Sequence, residues 1–111
     1  MTIREVAAGL DAEIVQDVFT DIELKGAYSS DLLSDVMGNA RDADALITIQ
    51  AHKNSVAVAT LVNISCLIIC NNRPLPDDML ESAKEEGIAV LLTKENQFTV
   101  SGKLWEFLRK S

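Results

Sequence analysis

Cysteine, histidine and aromatic residues are scarce in this 111-residue chain: two Cys, one His, three Phe, one Tyr and one Trp. Two cysteines cannot build the disulfide framework of a small secreted domain. They stand in "CLIIC", Cys66 to Cys70. In a strand, four residues at about 3.3 Å each hold them about 13 Å apart on one face, beyond the roughly 7 Å reach of a disulfide. Reduced core thiols in a cytoplasmic protein are expected. A metal site is the sharper alternative, but one His and no second Cys pair leave a zinc ion short of ligands.

Positive charge is also in short supply. Ten basic residues face 17 acidic ones, for a net charge of −7, and the basic residues are scattered. Nucleic acid is therefore a poor partner, because neutralising phosphates needs clustered Lys and Arg. No apolar run approaches the roughly 20 residues of a membrane span. The first residues, "MTIREVAAGLDAEIVQD", carry acids where a signal peptide has its apolar core. Also missing are a G-x-x-x-x-G-K-[ST] phosphate cradle and a G-x-S-x-G nucleophile elbow. No motif points to a cofactor.

What is present is an ordered alternation. "ALITIQ", "CLIIC" and "IAVLLT" are short, continuously apolar runs, the pattern of parallel strands covered on both faces. Three segments with helical spacing separate and follow them. Residues 54–62 are apolar nearly all round, as in a helix packed tightly on a sheet. In "LPDDMLESAKEEG", Pro76 suits the first helical position, Asp77 and Asp78 favour the positive end of the dipole, and Gly87 supplies a left-handed stop. Met79, Leu80 and Ala83 form its inward face. The third helix, residues 97–109, places Val100, Leu104, Phe107 and Leu108 on one stripe, with Trp105 and Phe107 expected in the core. Gly102 lowers its helix propensity, so close contact with another backbone is expected there.

The N-terminal half is less regular. Thr2 and Glu5 have the form of a capping box, followed by Ile3, Val6, Ala7 and Leu10 at helical spacing and a close at Gly9 and Asp11. "AEIVQD" and "DIELKGA" each read as a strand. "SSDLLSDVMGNA" offers Ser30 as a cap, Leu32, Leu33, Val36 and Met37 as a buried face, and Gly38 as a stop. The fold class is α/β: one domain over residues 1–111, with a mostly parallel sheet built from βαβ crossovers and helices on both faces.

The segments "GAYSSDLLSDVM", "ITIQAHKNSVAVA", "GIAVLLT" and "NQFTVSGKL", in that order, resemble the DRTGG domain, especially its short stand-alone members. That fold is shared with the N-terminal domain of HPr kinase/phosphorylase, and DRTGG domains also stand beside CBS domains and in long phosphotransacetylases. The resemblance implies a regulatory or assembly module and carries no kinase activity, since the phosphate cradle is missing. Where the family usually has Asp-Arg, this chain has His52-Lys53. Where Thr-Gly-Gly is usual, it has Cys70-Asn71-Asn72. Asn tolerates left-handed backbone angles, so the turn itself is expected to survive.

Ligands bind open parallel sheets outside the carboxyl ends of the strands. That rule gathers Gln50, His52 and Asn54, then Asn71, Asn72 and Arg73, then Thr93, Asn96 and Thr99, with Ser30 as a further wall. Each has a plainer reading. His52 is a loop residue before it is a ligand contact or a base, because no Ser or Cys nucleophile is in view. Asn54 caps a helix, or leaves helix-start N–H groups to an anion. Asn71-Asn72-Arg73 is a turn or an anion contact, and Ser30 a cap or a pocket wall.

The leading expectation is a non-catalytic regulatory or adaptor domain that senses a small anionic metabolite or nucleotide and acts through a protein partner or self-association. The apolar helix at 54–62 and Trp105 suggest a homodimer. A small enzyme with its active site on the strand-end rim is the alternative. A third, implied by the resemblance alone, is an accessory protein of an iron hydrogenase system.

Overall fold

The structure, a computed structural model, describes residues 1–110. Its elements in chain order are α1 (Ile3–Leu10), β1 (Glu13–Gln16), β2 (Gly26–Ser29), α2 (Leu33–Asn39), β3 (Asp44–Thr48), α3 (Lys53–Leu61), β4 (Cys66–Ile69), α4 (Asp77–Glu86), β5 (Ala89–Leu92) and α5 (Gln97–Lys110). The five strands form one sheet in the order β1-β5-β4-β3-β2, parallel except for β1. β3, β4 and the first three residues of β5 are buried throughout, which explains the unbroken apolar sequences of β4 and β5 and the apolar centre of β3 between Asp44 and Thr48.

From β2 to β5 the chain steps to the neighbouring strand in one direction each time. Constant direction and constant crossover hand put every crossover helix on the same face. Accordingly Val36 of α2, Val56 and Ala59 of α3 and Met79 and Ala83 of α4 share one core with Leu46, Leu67, Ile69 and Val90. α5 follows the last parallel strand and adds none, so it returns over the opposite face. There Val100 and Leu104 join Ile3, Val6 and Leu10 of α1 around Ile47, Cys66, Ile68 and Leu91.

Local signals hold where the groups involved are close in sequence. Thr2 and Glu5 form the reciprocal capping box of α1, and Asp11 closes it in the left-handed region at φ 53°. Gly87 closes α4 at φ 69°. α1 also needs a glycine: a Cβ on Gly9 would stand 2.9 Å from the edge of the Phe107 ring.

Several expectations are corrected. Pro76 is the N-cap of α4, one residue ahead of the first helical position, because its ψ of 146° is extended. In α2 only Val36 is buried; the helix lies at the margin of the sheet, so Leu32 and Met37 face solvent. Gly38 lies inside that helix, which runs on to an extended Ala40. "DIELKGA" becomes a strand only from Gly26; before that, Glu23 makes a single bridge to Thr2. Trp105 is 69% exposed and Phe107 half-buried, since the α5 stripe that meets the sheet centres on Val100 and Leu104. No neighbour approaches Gly102: a Cβ there would meet nothing within 4 Å.

Candidate functional site

The carboxyl ends of β2 to β5 lie along one edge of the sheet, and the loops leaving them form its polar rim. Asp31 organises the β2–β3 end. One carboxylate oxygen, Oδ1, accepts hydrogen bonds from the Thr48 hydroxyl at 2.8 Å, the Ile49 N–H at 2.9 Å and Gln97 Nε2 at 3.0 Å. Gln50 Nε2 donates to the Asp31 carbonyl, and the Gln50 N–H to the Thr48 hydroxyl. The start of α5 is thereby tied across the ends of two strands.

Ser30 is not the cap of α2. Its hydroxyl accepts from the Leu32 N–H at 3.2 Å, two residues on, and Leu32 is itself an N-cap without a side-chain acceptor. At α3 the capping role moves by two residues: His52 is the N-cap, and its Nδ1 accepts from the Asn54 N–H at 3.0 Å. The cap uses Nδ1 as acceptor and leaves Nε2 as the ring's other hydrogen-bonding atom. Asn54 is exposed beside it.

Asn71 and Asn72 occupy consecutive left-handed positions, φ 61° and 50°. The turn that two glycines would adopt freely is thus made by two asparagines, the residue type that best tolerates it. Their amides are used inside the protein: the Asn71 N–H donates to the Glu95 carbonyl at 2.9 Å and the Asn72 N–H to the Thr93 carbonyl at 2.8 Å. This pairing locks the β4 loop to the β5 loop and leaves side chains, not these amides, to face a ligand. Thr93 is buried, its hydroxyl accepting from the Glu95 N–H at 3.1 Å. Arg73 is exposed. Asn96 caps α5 through the Thr99 N–H at 2.9 Å.

Of the predicted residues, Asn72 and Thr93 line a common cleft of about 360 Å³. Lys94, Lys103 and Glu95 line it too, with Asp11 and Glu13 on the wall supplied by the end of α1 and the start of β1. Lys103 Nζ stands 3.8 Å from Glu95 Oε1. His52, Asn54, Asn71 and Arg73 lie outside it, as does Ser30. Sequence reasoning missed Lys94 and Lys103. Lys94 directly follows a predicted strand end and was within reach of that rule; Lys103 arrives from α5, whose path over the sheet no local pattern displays.

A larger groove, about 950 Å³, runs along the open edge of β2. Tyr28, Asp44, Trp105 and Arg109 are among its walls. Tyr28 donates its hydroxyl to Asp35 at 2.6 Å, and this bond holds the phenol above its ordinary pKa.

The thiols stand apart from the rim chemistry. Cys66 and Cys70 are free and fully buried. Burial pushes Cys66 up to about 12; burial, with the Asp31 charge adding to it, pushes Cys70 up to about 11. Both are protonated at neutral pH and so are poor nucleophiles and poor metal ligands. Among the described residues, no three His, Cys, Asp or Glu side chains are gathered to hold a metal ion. No helix among them is long and apolar enough to cross a membrane.

Comparison with known proteins adds the following. A family model described as the DRTGG domain matches residues 5–107. A crystal structure of the CBS and DRTGG domains of the regulatory region of Clostridium perfringens pyrophosphatase, complexed with its activator diadenosine tetraphosphate, superposes with a TM-score of 0.73. The two are 18% identical, and the match covers 93% of this chain and 45% of that one, so this chain spans less than half of that length. No curated protein matches in sequence.

Proposed function

Because the chain belongs to the DRTGG domain family, we propose that it is a non-catalytic regulatory or adaptor domain that senses a small anionic metabolite or nucleotide at its strand-end rim. The observation that carries this reading is the 360 Å³ cleft where Asn72 and Thr93 meet Lys94 and Lys103. Its size falls within the roughly 300–1,000 Å³ usual for small-molecule sites. The lysines suit phosphate oxygens, while Asp11, Glu13 and Glu95 suit the hydroxyl and amino donors of a nucleoside. A wall of mixed charge fits a nucleotide better than a bare anion. The neighbouring fold belongs to a regulatory region complexed with a nucleotide activator, which supports the same class of ligand.

Binding would be carried by side chains. The amides of Asn54, Asn71 and Asn72 already have partners, so the Asn72 side chain and the two lysines of the cleft make the contacts. His52 caps α3 and takes no part in acid-base chemistry. The bound state is passed on through a protein partner or a second copy of the chain.

Thermal shift with ATP, diadenosine tetraphosphate and inorganic phosphate tests the reading. A nucleotide at a hundred times its Kd stabilises by about 2.7 kcal/mol through mass action, roughly 10 °C for a domain of this size. In titration calorimetry, Lys103→Ala and Asn72→Leu weaken the nucleotide at least tenfold and His52→Ala leaves it nearly unchanged. Equal affinity for Asn72→Leu, Lys103→Ala and the parent excludes this placement. Turnover of the nucleotide that His52→Ala abolishes replaces it with the enzyme reading.

A further inference from the structure

Among the described residues, nothing pairs with the outer side of β2. The Ile47 carbonyl of β3 accepts from the Ser30 N–H on the β2 side, whereas the Thr48 carbonyl turns the other way, to the Cys70 N–H. Alternate residues of a parallel strand bond to opposite neighbours, so the register of Ala27 with Ala45 and Tyr28 with Leu46 turns the backbone of Tyr28 toward β3 and that of Ala27 and Ser29 outward. Both outward residues are exposed. The other edge strand, β1, is interrupted by an irregularity between Ile14 and Gln16, a common defence against stray pairing. β2 keeps regular register throughout and contains no proline. Its outer side is a short open template for another strand.

This edge borders the 950 Å³ groove, to which Ile47, Trp105 and Leu108 give an apolar stretch. Tyr28 packs on the α2 side of the sheet, so Ala27 and Ser29 carry their side chains on the α5 side. Polar groups gather at the end where the strands begin. Lys25 precedes β2, Arg41 precedes β3, and α5, tied at its start to the carboxyl ends, brings Arg109 to the same end. Arg109 is shared with the exposed Glu106, but Lys25 and Arg41 make no ion pair among the described residues. Asp42 and Asp44 stand there too. Asp44 is 8% exposed; its Oδ2 accepts from the Arg41 N–H at 2.9 Å, and its Oδ1 has no hydrogen-bond partner. Gly26 leaves room for that oxygen, since a Cβ there would stand 2.8 Å from it. A bare anion would meet repulsion from Asp42 and Asp44, and a bare cation from Lys25 and Arg41. An extended peptide brings N–H donors along its whole backbone and can carry a carboxylate as well.

We propose that β2 takes up an extended peptide segment of a partner protein as an added strand, one that carries an apolar residue and, two positions away, an acidic one. Its backbone bonds to the outward N–H and C=O groups of Ala27 and Ser29, and one of its donors reaches Asp44 Oδ1. The apolar side chain lies against Trp105, and the carboxylate meets Lys25 and Arg41. The spacing fits: residues two apart on a strand share a face and are about 6.6 Å apart, and the four residues from Trp105 to Arg109 rise about 6 Å along α5. Main-chain bonds supply affinity in strand addition, and pockets for alternate side chains supply selectivity.

The proposal rests on the protein-partner part of the proposed function and not on the nucleotide cleft. Its probe is the acetylated and amidated hexapeptide Thr-Val-Thr-Leu-Thr-Glu, titrated into the isotope-labelled chain and followed by NMR. We expect saturable shifts of the Ala27 and Ser29 amides and of the indole N–H of Trp105, the sole tryptophan, with a Kd of about 1 mM or tighter. Replacing the Glu of the probe by Lys weakens it at least fivefold, and Arg41→Glu in the protein reverses that preference. Two N-methylated probes separate strand addition from side-chain binding: methyl groups on the three Thr amides block one edge of the peptide, and on the other three amides the opposite edge. One of the two loses binding and the other keeps it. Ala27→Pro removes an outward N–H while leaving the bonds to β3, and it weakens the probe at least tenfold with an unchanged circular dichroism spectrum. Any of three results overturns the proposal: no saturable shift at Ala27 and Ser29, equal binding of the two N-methylated probes, or an edge already closed by a second copy of the chain, seen as these two amides protected from exchange in a dimer without peptide. Nucleotide binding without peptide binding sinks this proposal alone; peptide binding without nucleotide binding sinks only the cleft.

Discussion

Removing the Asp31 carboxylate should loosen the rim from two directions at once. Oδ1 receives three donors within 3.0 Å, two from the end of β3 and one from the first residue of α5. In Asp31→Ala, Gln97 is half-buried and can turn to water. The Ile49 amide cannot move, and the fully buried Thr48 hydroxyl has little room. Each buried donor left without an acceptor costs about 1–3 kcal/mol. Because Asp31 is itself partly exposed, the lower half of that range applies to each, for a loss of about 2–4 kcal/mol, or roughly 8–20 °C in Tm. Relief of repulsion in a chain of net charge −7 opposes this by no more than about 0.5 kcal/mol, the usual size of a surface charge effect. Asp31→Asn keeps an oxygen at the Oδ1 position and loses only charge assistance, about 1 kcal/mol. Urea unfolding followed by circular dichroism should therefore rank parent above Asn above Ala. An alanine variant within about 0.5 kcal/mol of the parent, or an asparagine variant as damaged as the alanine one, would refute the account of Oδ1 as a shared acceptor.

Two further outcomes concern the core. Phe107→Ala should lose about 2–3 kcal/mol, below the 3–5 typical of a fully buried Phe because the ring is half-exposed; a variant that melts like the parent would show that the contact with Gly9 of α1 carries no stability. Alkaline pH should also destabilise the fold through the thiols. Their folded pKa values, about 12 for Cys66 and about 11 for Cys70, lie above the roughly 8.5 of an unfolded chain. The folded state keeps protons that the unfolded state releases, so this contribution is intact below about pH 8.5 and falls by about 1.4 kcal/mol per pH unit per thiol above it. It levels off near 11 for Cys70 and near 12 for Cys66. Whatever its stability at neutral pH, Cys66→Ala should show a shallower decline between about pH 9 and 11 in urea titrations; slopes parallel to the parent's would contradict it.

The sequence by itself determined the elements whose causes are local. Unbroken apolar runs predicted β3, β4 and β5 because strands covered on both faces need no polar side. The capping box at Thr2 and the left-handed stop at Gly87 depend on residues within one turn of each other, and both are present as read. Asn71 and Asn72 were legible as a tolerated left-handed turn for the same reason. What only the tertiary structure decided involves partners far apart in the chain. Asp31 meets Gln97 across 66 residues, and Asn72 and Thr93 share a cleft with Lys103 because α5 returns over the sheet. Hydrophobic periodicity assigned Trp105 to the core, but which side of α5 meets the sheet is set by where the chain enters it after β5. Gly102 reads as a site of close packing within the chain; only the empty space where its Cβ would stand shows that no such packing occurs. Caps behaved likewise: several side chains near a helix start are chemically competent, and the one that caps is whichever the preceding strand delivers in extended geometry, His52 at α3 and none at α2.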